Sequence, residues 1–178
     1  MKKHLKILIG ATVFILIGLG IGFFIDKYYY NDLYVPEIEI QARSSQHIPE
    51  DWDATSETTK NTAAVLLYHR SLSEHIFLIY TNDQPLDMEP EYSLLGGGVI
   101  PVNLNEVAEI SSKSFDEYIY VSLNLPGISL MEISGDNFFS TKEIDPNKPF
   151  VIIQSGKKYN VTFYDTNNNI IEYDSIHL

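Results

Sequence analysis

Residues 118–134 read YIYVSLNLPGISLMEIS, and this stretch decides the fold class. Leucine, tyrosine and β-branched side chains recur on both sides of Pro126-Gly127, a dipeptide that favours a turn because proline fixes φ and glycine accepts positive φ. Short runs of the same kind follow between residues 150 and 176, again separated by proline, glycine and asparagine. Runs this short at this spacing predict a mainly β domain, an antiparallel β-sandwich.

The segment SGKKYNVTFYD, residues 155–165, resembles the penultimate strand of immunoglobulin-like and fibronectin-like sandwiches. Gly156 stands in the turn and Tyr159 in the position of their tyrosine corner. The resemblance covers about the last 25 residues. It implies that the Tyr159 hydroxyl bonds back to the preceding loop and that residues 169–176 form the final strand. Because Trp52 is the only tryptophan and lies outside every predicted strand, we take from the likeness a broad immunoglobulin-like architecture and no family.

Residues 63–81 read AAVLLYHRSLSEHIFLIYT, two apolar runs around a short polar loop. They predict a β-hairpin whose strands are apolar on both faces and therefore lie centrally, covered on each side. Weaker patterns mark three other segments. Alternation in residues 35–42 predicts a strand, polarity in residues 43–62 predicts an exposed connection, and residues 105–112 predict a short helix.

The N-terminal residues predict a membrane anchor. Residues 7–25 form an apolar, uncharged run that reaches across a hydrocarbon core of about 30 Å, and the run is longer than the apolar part of a cleaved signal peptide. Residues 1–6 carry three lysines, which places them in the cytoplasm. Residues 26–34 hold clustered tyrosines typical of a juxtamembrane aromatic belt. The predicted topology is a single-pass signal-anchor helix with residues 35–178 as one extracytoplasmic domain.

Two further predictions come from the span and from composition. Gly18 and Gly22 form a GxxxG step, which predicts a helix-mediated dimer. The chain has no cysteine, which is typical of exported domains in hosts that do not rely on disulfides, such as many bacteria.

Charge excludes one class of partner. All 24 acidic residues follow residue 25, and only nine of the 12 basic residues do, so the outer part carries a net charge of −15. An acidic domain is repelled by nucleic acid and by anionic lipid. We therefore expect no nucleic-acid partner, and we expect any charged partner to be basic.

The stretch SLLGGGVIP, residues 93–101, contains three consecutive glycines: Gly96, Gly97 and Gly98. A phosphate-binding loop is excluded because valine and isoleucine follow where a lysine and a hydroxyl residue are required, and Pro101 prevents a helix from starting there. An oxyanion loop is excluded because no histidine precedes the glycines and no GxSxG motif exists. What remains is a bent edge strand with bare backbone. Either the glycines only bend the strand, or they form a partner-docking edge, which is the binding site we predict.

His69, Glu74 and His75 are the densest metal-type ligands. A four-residue hairpin loop would point the two histidines to opposite faces, whereas a five-residue loop would pair them on one face, close enough to share a cation. The alternative is a pair of strand-end histidines, one of them salt-bridged to Glu74. Zinc would need a further ligand.

Calcium is the other candidate cofactor. Acidic residues cluster in three predicted loops, residues 51–57, 83–91 and 165–169, but none has the glycine and glutamate spacing of an EF-hand. No other cofactor is indicated.

The sequence favours a role other than catalysis. It contains no nucleophile motif and no cysteine, although a spatial pair of carboxylates for glycoside cleavage stays open. We predict a membrane-anchored extracytoplasmic β-sandwich module that binds a protein or a cell-envelope component. The alternatives are an envelope-associated hydrolase and a divalent-cation-binding sensor domain.

Overall fold

The computed structural model describes residues 37–49, 51–84, 90–100, 107–112, 115–156 and 158–178. These residues form short strands and one helix, so the mainly β fold class is confirmed. The predicted segments 1–6, 7–25 and 26–34 lie outside the described residues. Within the described ranges, no helix is long and apolar enough to cross a membrane.

One helix precedes all of the described strands. The elements, in chain order, are α1 (Glu37–Gln46), β1 (Asp53–Thr58), β2 (Thr62–Tyr68), β3 (His75–Asn82), β4 (Tyr92–Gly98), β5 (Val107–Ser112), β6 (Phe115–Ser122), β7 (Ile128–Gly135), β8 (Phe138–Glu143), β9 (Phe150–Ser155), β10 (Asn160–Asp165), β11 (Ile170–Ile171) and β12 (Tyr173–His177).

The strands form three four-stranded sheets. The first sheet has the order β1-β2-β3-β4, the central sheet β12-β5-β6-β9 and the third sheet β11-β10-β7-β8. Neighbouring strands are antiparallel except for β12, which pairs parallel to β5. A sheet packs only through faces that carry apolar side chains, so the buried clusters define how these sheets are layered.

Three apolar clusters hold the layers together. The first core joins the first and central sheets and includes Leu66, Ile79 and Ile119. The second core joins the central and third sheets around Tyr120 and Phe163, whose ring centroids are 5.4 Å apart. The third cluster places α1 on the outer face of the first sheet. The central sheet is therefore covered on both faces, and so is the first.

The predicted hairpin is confirmed. β2 and β3 pair antiparallel in the middle of the first sheet. Ala64 and Leu66 point into the first core, whereas Val65 and Leu67 point toward α1, and all four are fully buried. A strand covered on both faces needs an unbroken apolar run, which is what this segment carries.

The strand predicted for residues 35–42 is wrong, because most of this segment lies in α1. Ile38 and Ala42 are four residues apart and are buried against the first sheet, whereas Ile40 is 57% exposed. A spacing of four fits a helix as well as a strand. Glu37 and Glu39 in the first turn and Arg43 in the last favour the helix because they complement its dipole.

Two other sequence-based predictions are wrong. The short helix predicted at residues 105–112 is the strand β5, as far as its described residues 107–112 show, and residues 107–110 are all buried. The exposed connection predicted for residues 43–62 contains β1, which pairs with β2 along its whole length. In both segments, pairing with an apolar neighbour outweighs the weak local pattern.

The predicted final strand changes sheets. Ile170–Ile171 pairs with β10 in the third sheet, whereas Tyr173–His177 pairs with β5 in the central sheet. The single strand predicted for residues 169–176 is therefore wrong. Tyr159 precedes β10 as expected, and its ring packs over Gly135 and lies 5.0 Å from the Phe138 ring. Its predicted hydrogen bond to the preceding loop stays a prediction.

Candidate functional site

The structure separates the two candidate metal-binding histidines. Tyr68 pairs with His75, which leaves residues 69–74 in the hairpin loop, so neither predicted loop length is correct. The His69 ring lies 2.7 Å from the Ser71 hydroxyl and 4.0 Å from an Asp51 carboxylate oxygen. Glu74 meets His69 only through the backbone, where its carbonyl accepts from the His69 amide at 2.9 Å.

His75 is buried instead of solvent-facing. Its Nε2 donates to the Ile100 carbonyl at 2.9 Å, and the other ring nitrogen is Nδ1. This Nδ1 is buried and has no hydrogen-bond partner in the described part of the chain. His69 and His75 therefore have separate partners.

Two of the three candidate calcium loops use carboxylate oxygens elsewhere, and residues 85–89 of the third lie outside the described residues. Asp53 pairs with Arg70 at 3.4 Å, and Glu57 pairs with Lys142 at 3.1 Å. Asp165 accepts a bond from the Asn169 side chain at 2.9 Å and from two backbone amides, and these bonds, that of Asn169 foremost, lower the pKa of Asp165. Across the ranges that the structure describes, no group of three or more potential ligands could hold a metal ion.

The three glycines end β4, which lies at the edge of the first sheet. The pairing with β3 shifts between Ile79 and Tyr80, so the strand is bent there by a bulge at Leu95. A methyl group on Gly97 would collide with the Phe77 carbonyl oxygen and would lie 2.7 Å from a Leu78 methyl carbon. Gly97 is therefore required because the β3 backbone approaches it closely.

The other two glycines are under no such constraint. A methyl group on Gly96 would meet the Leu178 side chain at 3.7 Å, and one on Gly98 would meet the Phe77 ring at 3.6 Å, both ordinary contacts. Around them Leu94, Leu95 and Val99 are exposed by 48%, 37% and 59%. The strand, YSLLGGG, has no charged residue. Edge strands usually carry charge to prevent pairing with another chain, so β4 is an unguarded edge as far as the described residues show.

A second polar site, which the sequence analysis missed, crosses the central sheet. The register places Ser175 beside Glu109 and Glu109 beside Tyr120, on three adjacent strands. The Glu109 side chain is only 2% exposed. Its two carboxylate oxygens accept bonds from the Ser175 hydroxyl at 3.0 Å and the Tyr120 hydroxyl at 3.2 Å.

A lysine forms an ion pair with Glu109. Lys158 Nζ lies 3.6 Å from a Glu109 oxygen and 5.6 Å from the centroid of the Tyr118 ring. Burial, and then the negative charge of Glu109, raise the pKa of Tyr120, so its hydroxyl stays protonated and donates to the carboxylate. The same two causes raise the pKa of Tyr173, which the Lys158 charge opposes.

The central sheet buries another carboxylate, on its opposite face. Glu117 is 3% exposed and accepts bonds from the Thr59 hydroxyl at 3.1 Å and the Ser155 hydroxyl at 2.9 Å. It shares a face of β6 with Ile119 of the first core, whereas Glu109 faces the second core. Because the sheet lies between them, these two carboxylates cannot act as a pair on one glycosidic bond.

Comparison with family models, with curated proteins and with solved structures finds no match to this chain at the level of family, sequence or fold. A function for this chain must therefore be inferred from its two candidate sites, the β4 edge and the Glu109 row, which consists of Ser175, Glu109 and Tyr120.

Proposed function

We propose that this chain is a single-pass membrane protein whose extracytoplasmic domain, residues 35–178, binds a protein or cell-envelope component along the β4 edge. The support for the anchor is the apolar run of residues 7–25, preceded by three lysines and followed by clustered tyrosines. The proposed location is the cell membrane, with the N-terminus in the cytoplasm. The proposed role is binding and not catalysis.

In broad architecture we propose an immunoglobulin-like sandwich for the packed central and third sheets. Its support is the antiparallel order β10-β7-β8 together with Tyr159 at the start of β10. The Gly18 and Gly22 step supports a dimer through the membrane helix, which would present two such domains side by side. An unchanged crosslinking yield after Gly22→Leu would count against this dimer.

One observation carries the binding proposal: β4 is an edge strand with exposed leucines, bare glycines and no charge, and the exposed Val99 follows it directly. An extended segment of a partner can add to such an edge by main-chain hydrogen bonds. Gly96 and Gly98 offer no side chain to keep that segment away, and Leu94, Leu95 and Val99 supply apolar contact. β4 and Val99 therefore offer both features that β-strand addition uses: an accessible backbone for main-chain hydrogen bonds and apolar side chains for contact.

Charge supports a basic partner. The outer part of the chain carries a net charge of −15, and opposite charge steers association and increases its rate. Since the apolar contacts at β4 provide affinity and the net negative charge of the outer part favours a basic partner, we propose an extended, basic segment of an envelope-associated protein as the occupant.

Site-specific photocrosslinking tests this proposal. The crosslinking residue replaces Leu94 in the full-length protein in intact cells, and a control protein carries it at Thr58, an exposed position on the opposite edge of the same sheet. We expect a defined adduct from position 94, absent from position 58 and lost when Leu95→Lys is added. Adducts of equal yield and identity at both positions, or none at position 94, would overturn the proposal.

A further inference from the structure

The Glu109 row has the composition of a receptor for a cation. Glu109 supplies a carboxylate. Tyr118 lies two residues before Tyr120 on β6, and Tyr173 lies two residues before Ser175 on β12. Their half-buried rings are therefore on the same face of the sheet as Glu109. Tyrosine rings attract a cation through the negative charge of their faces. A carboxylate beside aromatic rings is therefore suited to an ammonium group.

The site already holds an ammonium group. Lys158 Nζ is 3.6 Å from the Glu109 carboxylate and 5.6 Å from the centre of the Tyr118 ring, within the range of cation–π attraction. Its side chain reaches the site from the connection between β9 and β10. The lysine thus shows how an alkylammonium group is seated there.

The two members of this ion pair differ in burial. The Glu109 side chain is 2% exposed, whereas the Lys158 side chain is 63% exposed. Ser175 and Tyr120 each donate one hydrogen bond to Glu109, and an opposite charge beside a buried carboxylate stabilises it further, so the site favours a cation. A lysine that is mostly in water can leave at little cost, provided that another ammonium group takes its place.

We propose that Glu109, Tyr118 and Tyr173 form a binding site for primary alkylammonium groups, which Lys158 occupies in the free protein and which a ligand ammonium can take by displacing Lys158. The ligand chemistry is that of an aminobutyl chain, as in a polyamine or in a lysine side chain of a basic partner. Because Lys158 competes from the same molecule, at a high effective concentration, single amines bind the wild type weakly.

The test uses Lys158→Met in the full-length protein, which removes the charge and keeps the apolar stem. The probe is n-butylammonium, with n-butanol and sodium chloride as matched controls. At ten times its Kd, the probe is expected to raise the folding equilibrium constant of the variant about elevenfold. Glu109→Gln added to Lys158→Met should abolish this effect, and Lys142→Met, which vacates a different carboxylate, should show none.

A second measurement on the wild type does not depend on how the variant folds. Spermidine and a lysine-rich peptide are titrated while the backbone amide signals of Tyr118, Lys158 and Ser175 are followed by NMR. Saturable shifts with either ligand support the site, and the stronger ligand identifies the source of the ammonium group. Leu94→Lys should leave these shifts unchanged, which separates this site from the β4 edge.

Two results would overturn the inference. One is a butylammonium effect on Lys158→Met no larger than that of sodium chloride. The other is an effect that persists unchanged after Glu109→Gln. If Lys158→Met does not fold, the wild-type titration decides. No saturable shift of the amide signals at millimolar spermidine or peptide would then overturn the ammonium-binding site.

Discussion

The two edges of the first sheet differ in whether charged side chains and contacts with other elements protect them from pairing with another strand. On β1, Asp53 pairs with Arg70 at 3.4 Å and Glu57 pairs with Lys142 of the third sheet at 3.1 Å, while Ser56 donates to Glu39 of α1 at 2.7 Å. On β4 the strand YSLLGGG offers exposed leucines and glycines, without a charged side chain. The same sheet thus has one guarded edge and one bare edge.

This contrast indicates which edge of the first sheet we propose as the place where another chain adds. Charged edge residues and contacts with neighbouring layers stop unwanted pairing, and β1 has both. β4 has a bulge at Leu95 as its one described protection, and the residues beyond the bulge are glycines. A domain that left this edge bare without a partner would risk association with itself, which is why we assign the bare edge to binding.

The largest loss of stability is expected at Gly97, the one glycine of the three that the β3 backbone approaches closely. Gly97→Val places a branched side chain against the Phe77 carbonyl and Leu78, and we expect it to cost about 3 kcal/mol of unfolding free energy. Gly96→Ala meets only the Leu178 side chain and should change stability by less than about 1 kcal/mol. Urea unfolding of both variants checks this, and equal stabilities would contradict the close approach of β3 and β4.

A smaller effect concerns the bond that ties the start of β4 to the turn after β1. The Tyr92 hydroxyl donates to the Thr59 carbonyl, and burial is the main cause that raises the pKa of Tyr92. We expect Tyr92→Phe to cost about 1 kcal/mol at pH 7.

The pH dependence of this cost has a defined sign. Because the folded-state pKa is raised, the contribution of Tyr92 is complete below the unfolded value of about 10 and is lost as pH rises through the folded-state value. The difference between wild type and Tyr92→Phe should therefore shrink above pH 10. Urea unfolding at pH 7 and in the alkaline range measures it, and a difference that grows with pH would show that the sign is wrong.

The ion pair that guards β1 should contribute little to stability. Lys142 and Glu57 are 47% and 31% exposed, so water and salt screen their attraction. We expect Lys142→Met to cost about 0.5 kcal/mol in low salt and less in high salt. A loss of several kcal/mol in thermal or urea unfolding would mean that this pair holds the layers together and is more than an edge guard.

Charge added to the β4 edge should change stability least and binding most. Leu94→Lys with Leu95→Lys puts charge on a bare edge whose side chains are 48% and 37% exposed, so unfolding should change by less than about 0.5 kcal/mol. Capture of the partner by the full-length protein from intact membranes should be lost. The control is Thr58→Lys on β1, which should retain capture. Retained capture by the double variant would contradict the docking edge.

How much could be predicted from the sequence depends on how local the signal is. The β2–β3 hairpin was predictable because long apolar runs flank a polar loop. A bent edge strand next to the three glycines was predictable because consecutive glycines have few uses in a strand, although the bulge itself lies at Leu95. α1 was mistaken for a strand because Ile38 and Ala42 satisfy both periods. β1 and β8 were missed because neither sequence shows the alternation of apolar and polar residues that predicts a strand. β1 reads DATSET, which is almost entirely polar, and β8 reads FFSTKE, in which the two apolar residues are adjacent.

The Glu109 site could not be predicted, because its partners are distant in the chain. Ser175 is 66 residues from Glu109, and Tyr120 is 11 residues away on another strand. The parallel pairing of β12 with β5 places Ser175 beside Glu109, and the antiparallel pairing of β5 with β6 places Tyr120 on its other side. A single polar residue in the buried run VAEI was the available signal, and the segment that contains it was predicted as a short helix.

Hydrogen exchange of the β4 amides tests the docking edge most directly. Exchange is measured for β4 and β1 in the full-length protein, once in native membranes and once purified in detergent. We predict that the outward amides of residues 92–98 exchange at least about tenfold more slowly in native membranes, because an added strand bonds to them, while the β1 amides are unchanged. Equal exchange of β4 in the two preparations, or equal slowing of β1, would contradict the account.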